Sequence, residues 1–206
     1  MKPRTALRAD IQALRAVAVL TVLVFHVWPT AVPGGYVGVD VFFVISGFLI
    51  TGVLLKDIDE GGLDFRRFYA RRIRRLLPAA SLALLVTLLV AQFVLPGSTV
   101  RSLVWEVIAS VFYVVNCVFV SNSVDYLAGE AAPSAVTHYW SLSIEEQFYI
   151  LWPIAIFAAT LVSRRVGASV KLISGWLLTL MIVASLGWAI YLSFSNPAPA
   201  YFMTTT

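Results

Sequence analysis

The stretch Leu76-Leu-Pro-Ala-Ala-Ser-Leu-Ala-Leu-Leu-Val-Thr-Leu-Leu-Val-Ala-Gln-Phe-Val-Leu95 holds twenty residues without one charged side chain. Crossing about 30 Å of hydrocarbon takes roughly 20 residues of helix, so this run is long enough to span a bilayer. Immediately before it stand Arg66, Arg67, Arg71, Arg72, Arg74 and Arg75. Basic residues at one end of an apolar run mark its cytoplasmic side. Working outward, four more runs of similar length follow the same pattern: Ile11 to Trp28, Tyr36 to Leu55, Trp140 to Val162 and Leu172 to Phe194. The expected fold is all-α, a polytopic transmembrane helix bundle.

Composition agrees. The chain of 206 residues is 60% hydrophobic and 13% charged, against about 25% charged for an average soluble domain. Its net charge of +4 does not point to nucleic acid, because the basic residues sit at the ends of apolar runs and not across a soluble surface. The lone cysteine, Cys117, lies in an apolar stretch and reads as a small buried residue. It offers neither a disulfide framework nor a cysteine metal cluster, and no metal site is expected. The first thirty residues mimic a secretory signal, but Pro29 and Pro33 follow Trp28 where a small-x-small cleavage site would be. A retained first helix is expected.

The N-terminus, Lys56 to Arg75, and Arg164, Arg165 and Lys171 all fall on the cytoplasmic side if five crossings are made. Leu103 to Val120 is apolar enough to suggest a sixth. No Lys or Arg occurs between Ser102 and Ser163, so Pro96 to Tyr139 is placed outside and Leu103 to Val120 reads as one re-entrant or interfacial helix. Glu106 and Asn116 on it then need water or protein partners. Five spans make a modest bundle, and the chain is expected to be the N-terminal half of a larger transmembrane domain.

Charged or titratable groups inside spans cost about 2.5 to 3.5 kcal/mol at the bilayer centre and mark function by default. Arg15 and His26 are eleven positions apart, which at about 100° per residue returns them to one helix face. Histidine is suited to proton transfer near neutral pH; its alternative is a ring satisfied by a neighbouring helix. After the short turn at Pro29 to Gly35, Asp40 is expected beside His26, either orienting its ring or capping a helix. The arginines before Leu76 either bind phosphates bidentately or anchor the helix at anionic lipid. His138 and Glu145, seven apart, share one face of the fourth span, with Glu146 pointing elsewhere. Trp140, Tyr149 and Trp152 fit an interfacial aromatic belt.

Four segments together carry a resemblance. They are Asp10-Ile-Gln-Ala-Leu-Arg15 with His26, Gly38-Val-Asp-Val-Phe-Phe-Val-Ile-Ser-Gly47, Arg71-Arg72-x-x-Arg75 with Pro78, and His138-x-Trp-Ser-Leu-Ser-x-Glu145-x-Gln-Phe-Tyr149. In this order they resemble the acyltransferase family 3 membrane proteins, which include bacterial O-acetyltransferases of cell-wall and surface glycans. The resemblance implies a multi-pass enzyme of the inner (cytoplasmic) membrane with a cytoplasmic N-terminus and about ten helices. It would move an acyl group, usually acetyl, from cytoplasmic acyl-CoA to a hydroxyl of an extracytoplasmic glycan. Acyl-CoA is then a donor substrate and not a permanently bound cofactor; the other partners are the glycan acceptor and the lipid bilayer, with no nucleic acid. Carried onto matching positions, it makes Arg15 and His26 the signature pair, Arg71, Arg72 and Arg75 the cytoplasmic arginine motif, and Glu145 the matching glutamate; joined with the reading of the residues, the expected catalytic groups are His26, Glu145 and Asp40, and the expected acyl-CoA-binding groups Arg15, Arg71, Arg72 and Arg75. The competing expectation is a fragment of a proton-coupled transporter, in which His26, Asp40 and Glu145 relay protons.

Overall fold

A computed structural model describes residues 8–126 and 134–195. Among these, every regular element is helical. Five helical segments are long and apolar enough to cross a membrane: Ala9–Val27, Gly35–Asp59, Phe65–Val94, Tyr139–Val166 and Val170–Leu192. Each overlaps one of the five runs expected from the sequence, the third helix beginning at Phe65 and not at Leu76. The chain divides into two compact units, Met1–Lys56 and Asp57–Thr206.

The first unit is a helical hairpin of α1 (Ala9–Val27) and most of α2 (Gly38–Asp59), joined by a short 3-10 turn at Gly35–Val37. Asp10 sits in the first turn of α1, where the helix dipole favours a carboxylate, and pairs with Arg8 at 2.7 Å. The hairpin closes tightly because two positions carry no side chain. A Cβ on Gly35 would lie 2.5 Å from the Thr21 carbonyl oxygen, and one on Gly38 would collide with the Ala18 carbonyl. Further along the hairpin, the Arg15 guanidinium lies 5.0 Å from the Phe42 ring centroid and that of Arg8 lies 5.9 Å from Phe48. These contacts fix an antiparallel register.

The second unit is built on α3 (Phe65–Val94), whose N-terminus is capped by the Asp64 carboxylate accepting from the Arg67 amide at 2.9 Å. Next come α4 (Gly97–Val111) and α5 (Val115–Tyr126), then α6 (Tyr139–Val166) and α7 (Val170–Ser195). Gly167 ends α6 in the left-handed conformation (φ 73°), its amide donating to the Ser163 carbonyl at 2.9 Å. Leu84 and Ala91 of α3, Leu103 and Ala109 of α4, Val115 and Phe119 of α5, and Val136 form one buried cluster. Along the spanning helices many large apolar side chains face outward, as contact with lipid requires: Phe93 is 89% exposed and Leu180 66%.

The run Leu103 to Val120 is not one helix. The chain breaks at Tyr113, which adopts φ 55°, and the Val114 amide bonds back to the Ala109 carbonyl at 2.9 Å. Neither α4 nor α5, of 15 and 12 residues, has the length of a span. Cys117 is exposed and not buried, because the inward positions of α5 are taken by Val115, Asn116 and Phe119.

Candidate functional site

In the first unit, Arg15 and His26 lie on α1 about 16 Å apart along its axis, at 1.5 Å per residue. Arg15 is half-buried against Phe42, and His26 and Asp40 are exposed. The His26 Nδ1 lies 2.8 Å from the Val22 carbonyl oxygen on the preceding turn. A carbonyl only accepts, so Nδ1 carries the hydrogen, and the neutral ring then holds its lone pair on Nε2. Phe25 meets the imidazole edge to face, with centroids 5.5 Å apart, and in turn packs on Tyr36 at 5.7 Å. The sequence suggests Asp40 as the group that orients this ring. At Nδ1 that work falls to the backbone of the same helix.

In the second unit, α3 and α6 run antiparallel and meet through long side chains. Phe65 faces Phe157 with centroids 5.7 Å apart, the Tyr69 hydroxyl donates to the Ile150 carbonyl at 3.2 Å, and the Tyr139 hydroxyl donates to the Ala80 carbonyl at 2.9 Å. Between these contacts, Arg72 Nη2 lies 3.4 Å from Glu146 Oε1. The guanidinium carbon sits 3.1 Å from the Tyr149 ring centroid, and the Tyr149 hydroxyl donates to the Glu145 carboxylate. Next to it, the Gln147 amide nitrogen donates to the Tyr113 carbonyl at 2.7 Å and to Asn116 Oδ1 at 2.9 Å. The turn between α4 and α5 is thereby tied to the helix that carries Glu145 and Glu146.

This geometry changes the reading of height. Charge placement sets Arg72 at the cytoplasmic mouth and Glu145 toward the outside, but the structure brings Arg72 to the residue beside Glu145. The reason lies in the register: α6 begins beside Ala80, midway along α3, and not beside the end of α3 at Val94. Arg71 and Arg75, by contrast, are exposed.

Outside the spanning helices, Glu106 is buried, and burial raises its carboxyl above the ordinary range while a hydrogen bond donated by Ser134 partly offsets this. The Tyr113 phenol is likewise raised, first by burial and then by the nearby Glu146 carboxylate. Sequence reasoning missed Glu146, Tyr149, Gln147 and Tyr113 as members of one cluster. The only available signal was helical spacing, which puts Tyr149 one turn beyond both Glu145 and Glu146.

The sequence matches the acyltransferase domain family over residues 8–205. It is 36% identical, over 96% of its length, to the peptidoglycan O-acetyltransferase OatA of Listeria monocytogenes, of which it covers 31%. It is also 36% identical, over 95% of its length, to the putative peptidoglycan O-acetyltransferase YrhL of Bacillus subtilis, covering 30% of that protein. Over 75% of its length it is 38% identical to a putative O-acetyltransferase of Staphylococcus aureus, covering 26%. The chain thus spans less than a third of the length of these curated relatives. No solved structure matches it.

Proposed function

Because the chain belongs to this acyltransferase family, we propose that it serves a membrane O-acyltransferase that moves an acetyl group from cytoplasmic acyl-CoA to a hydroxyl of an extracytoplasmic glycan. The relatives named as peptidoglycan O-acetyltransferases support a cell-wall glycan as the acceptor class. The proposed setting is the inner membrane, with the N-terminus cytoplasmic, as the basic residues before α1 favour.

The observation that carries the chemistry is the His26 ring, whose Nδ1–H is engaged by the Val22 carbonyl so that Nε2 is the basic nitrogen. In the proposed step, Nε2 takes the proton of the acceptor hydroxyl as its oxygen attacks the thioester carbonyl. The tetrahedral intermediate collapses with cleavage of the C–S bond, and the departing thiolate recovers the proton from the imidazolium. The products are the O-acyl glycan and free coenzyme A. Asp40 and Arg15, on the same hairpin as His26, supply charge along the path; in the second unit Glu145, held by Tyr149, is a further candidate for the acyl-transfer chemistry. Arg71 and Arg75 are exposed and suited to phosphate oxygens of the donor.

The test is mass spectrometry of cell-wall glycan from cells carrying the full-length gene, its His26→Ala variant, or neither. O-acetylation that depends on the gene and disappears with His26→Ala is the expected result. Unchanged acetylation in the variant would sink the role given to His26, and solute movement without covalent change would favour the transporter reading.

A further inference from the structure

Arg72 and Arg75 stand one turn apart on α3, and the structure gives them different surroundings. Arg75 is exposed. Arg72 turns into the interface with α6, where its side chain keeps 23% exposure and that of Glu146 keeps 13%. One face of its guanidinium lies on the Tyr149 ring, the Phe68 ring centroid is 5.9 Å away, and Glu146 takes Nη2. Its Nε is buried and has no hydrogen-bond partner among the described residues. The Nε edge that a phosphate would grip bidentately is therefore closed off, and an anion approaching Nη2 meets the Glu146 carboxylate already there.

These contacts do something else well. Arg72–Glu146 lies between Phe65–Phe157 on one side and Tyr139–Ala80 on the other, so it belongs to the set of contacts that fixes how far α6 slides along α3. Tyr149, which holds Glu145, rests directly on the guanidinium. Gln147, the residue after Glu146, grips the α4–α5 turn. A partly buried ion pair is a poor source of net stability but a strict geometric requirement once formed, because either charge left alone inside is costly.

We propose that Arg72 and Glu146 are a positioning pair that sets the register of α6 on α3, and with it the place of Glu145 and of the α4–α5 turn, while donor phosphates are met by Arg75 and Arg71. This rests on the acyl-transfer reading above for its catalytic consequence, but not for its geometry.

The test uses the full-length protein in liposomes, with its native cysteines, Cys117 among them, replaced by serine and with acetyl-CoA as donor. Register is read without turnover by a short bifunctional thiol reagent bridging Phe65→Cys and Phe157→Cys. Glu146→Gln is expected to lower both cross-link yield and kcat, leaving KM for acetyl-CoA within about twofold. The charge swap Arg72→Glu with Glu146→Arg is expected to recover cross-linking and part of kcat. Arg75→Ala is expected to raise KM roughly tenfold, the scale of one lost charge-assisted hydrogen bond, with cross-linking intact. The proposal is overturned if Arg72→Lys raises KM for acetyl-CoA while cross-linking stays at the level of the unsubstituted pair, or if the swap restores neither readout. A parent protein with no turnover would sink the transferase reading alone, since cross-linking still decides the pair.

Discussion

His26 shows how much one backbone contact decides. The Val22 carbonyl, 2.8 Å from Nδ1, selects the tautomer and leaves Nε2 as the nitrogen that can accept a proton. Replacing His26 with Gln keeps size and polarity but removes the titrating nitrogen, so acyl transfer should fall by roughly 10²- to 10⁴-fold, as loss of a general base does; a radiolabelled acetyl-transfer assay measures it. Glu106 makes the stability of α4 depend on pH. Its carboxyl is raised in the folded state, mainly by burial. Folded α4 therefore keeps a proton that the unfolded segment releases near pH 4.3, so the stability of α4 falls as pH rises from there through the folded value and stays lower above it. Amide exchange of Val107 to Ser110, corrected for intrinsic rates, should show more protection at pH 4 than at pH 8. Glu106→Gln should flatten the difference.

Among the helices, the α1–α2 hairpin depends most on the absence of a side chain. Gly38 lets the α2 backbone touch α1 at Ala18 and Thr21, and a methyl group there has nowhere to go. Gly38→Ala should cost about 1 to 3 kcal/mol, the range for overpacking a tight contact. It should lower the melting temperature in detergent and, by shifting α2 against α1, weaken acyl transfer as well. Gly34→Ala, where a Cβ meets nothing within 4 Å, serves as the control and should melt like the parent protein. The glycine-rich entry to the second span was legible in the sequence as a place of close backbone approach. Which residues it approaches was not, because that depends on the register of two helices.

If each of the five candidate spans among the described residues crosses the bilayer, residues 57–64 and 164–171 share one side and the α4–α5 pair is entered from the other. In full-length protein whose native cysteines, Cys117 among them, are replaced by serine, Gly61→Cys should react with a membrane-impermeant maleimide only from the cytoplasmic side and Ser121→Cys only from the outside. Labelling of both from one side would overturn this map. The sequence by itself determined that the chain is a membrane protein, the five runs that can span, and its family, because run length, charge flanking and motif spacing are all local along the chain. It pointed to Arg15, His26, Asp40, Arg71, Arg72, Arg75 and Glu145 as polar groups in costly places. Only the tertiary structure decided that Glu146 and not Glu145 meets Arg72, that Tyr149 bridges them, and that Leu103 to Val120 breaks at Tyr113 under the grip of Gln147. Those facts rest on how far α6 is shifted along α3, which is set by side chains packing between helices about seventy positions apart in sequence, and hydropathy is blind to it.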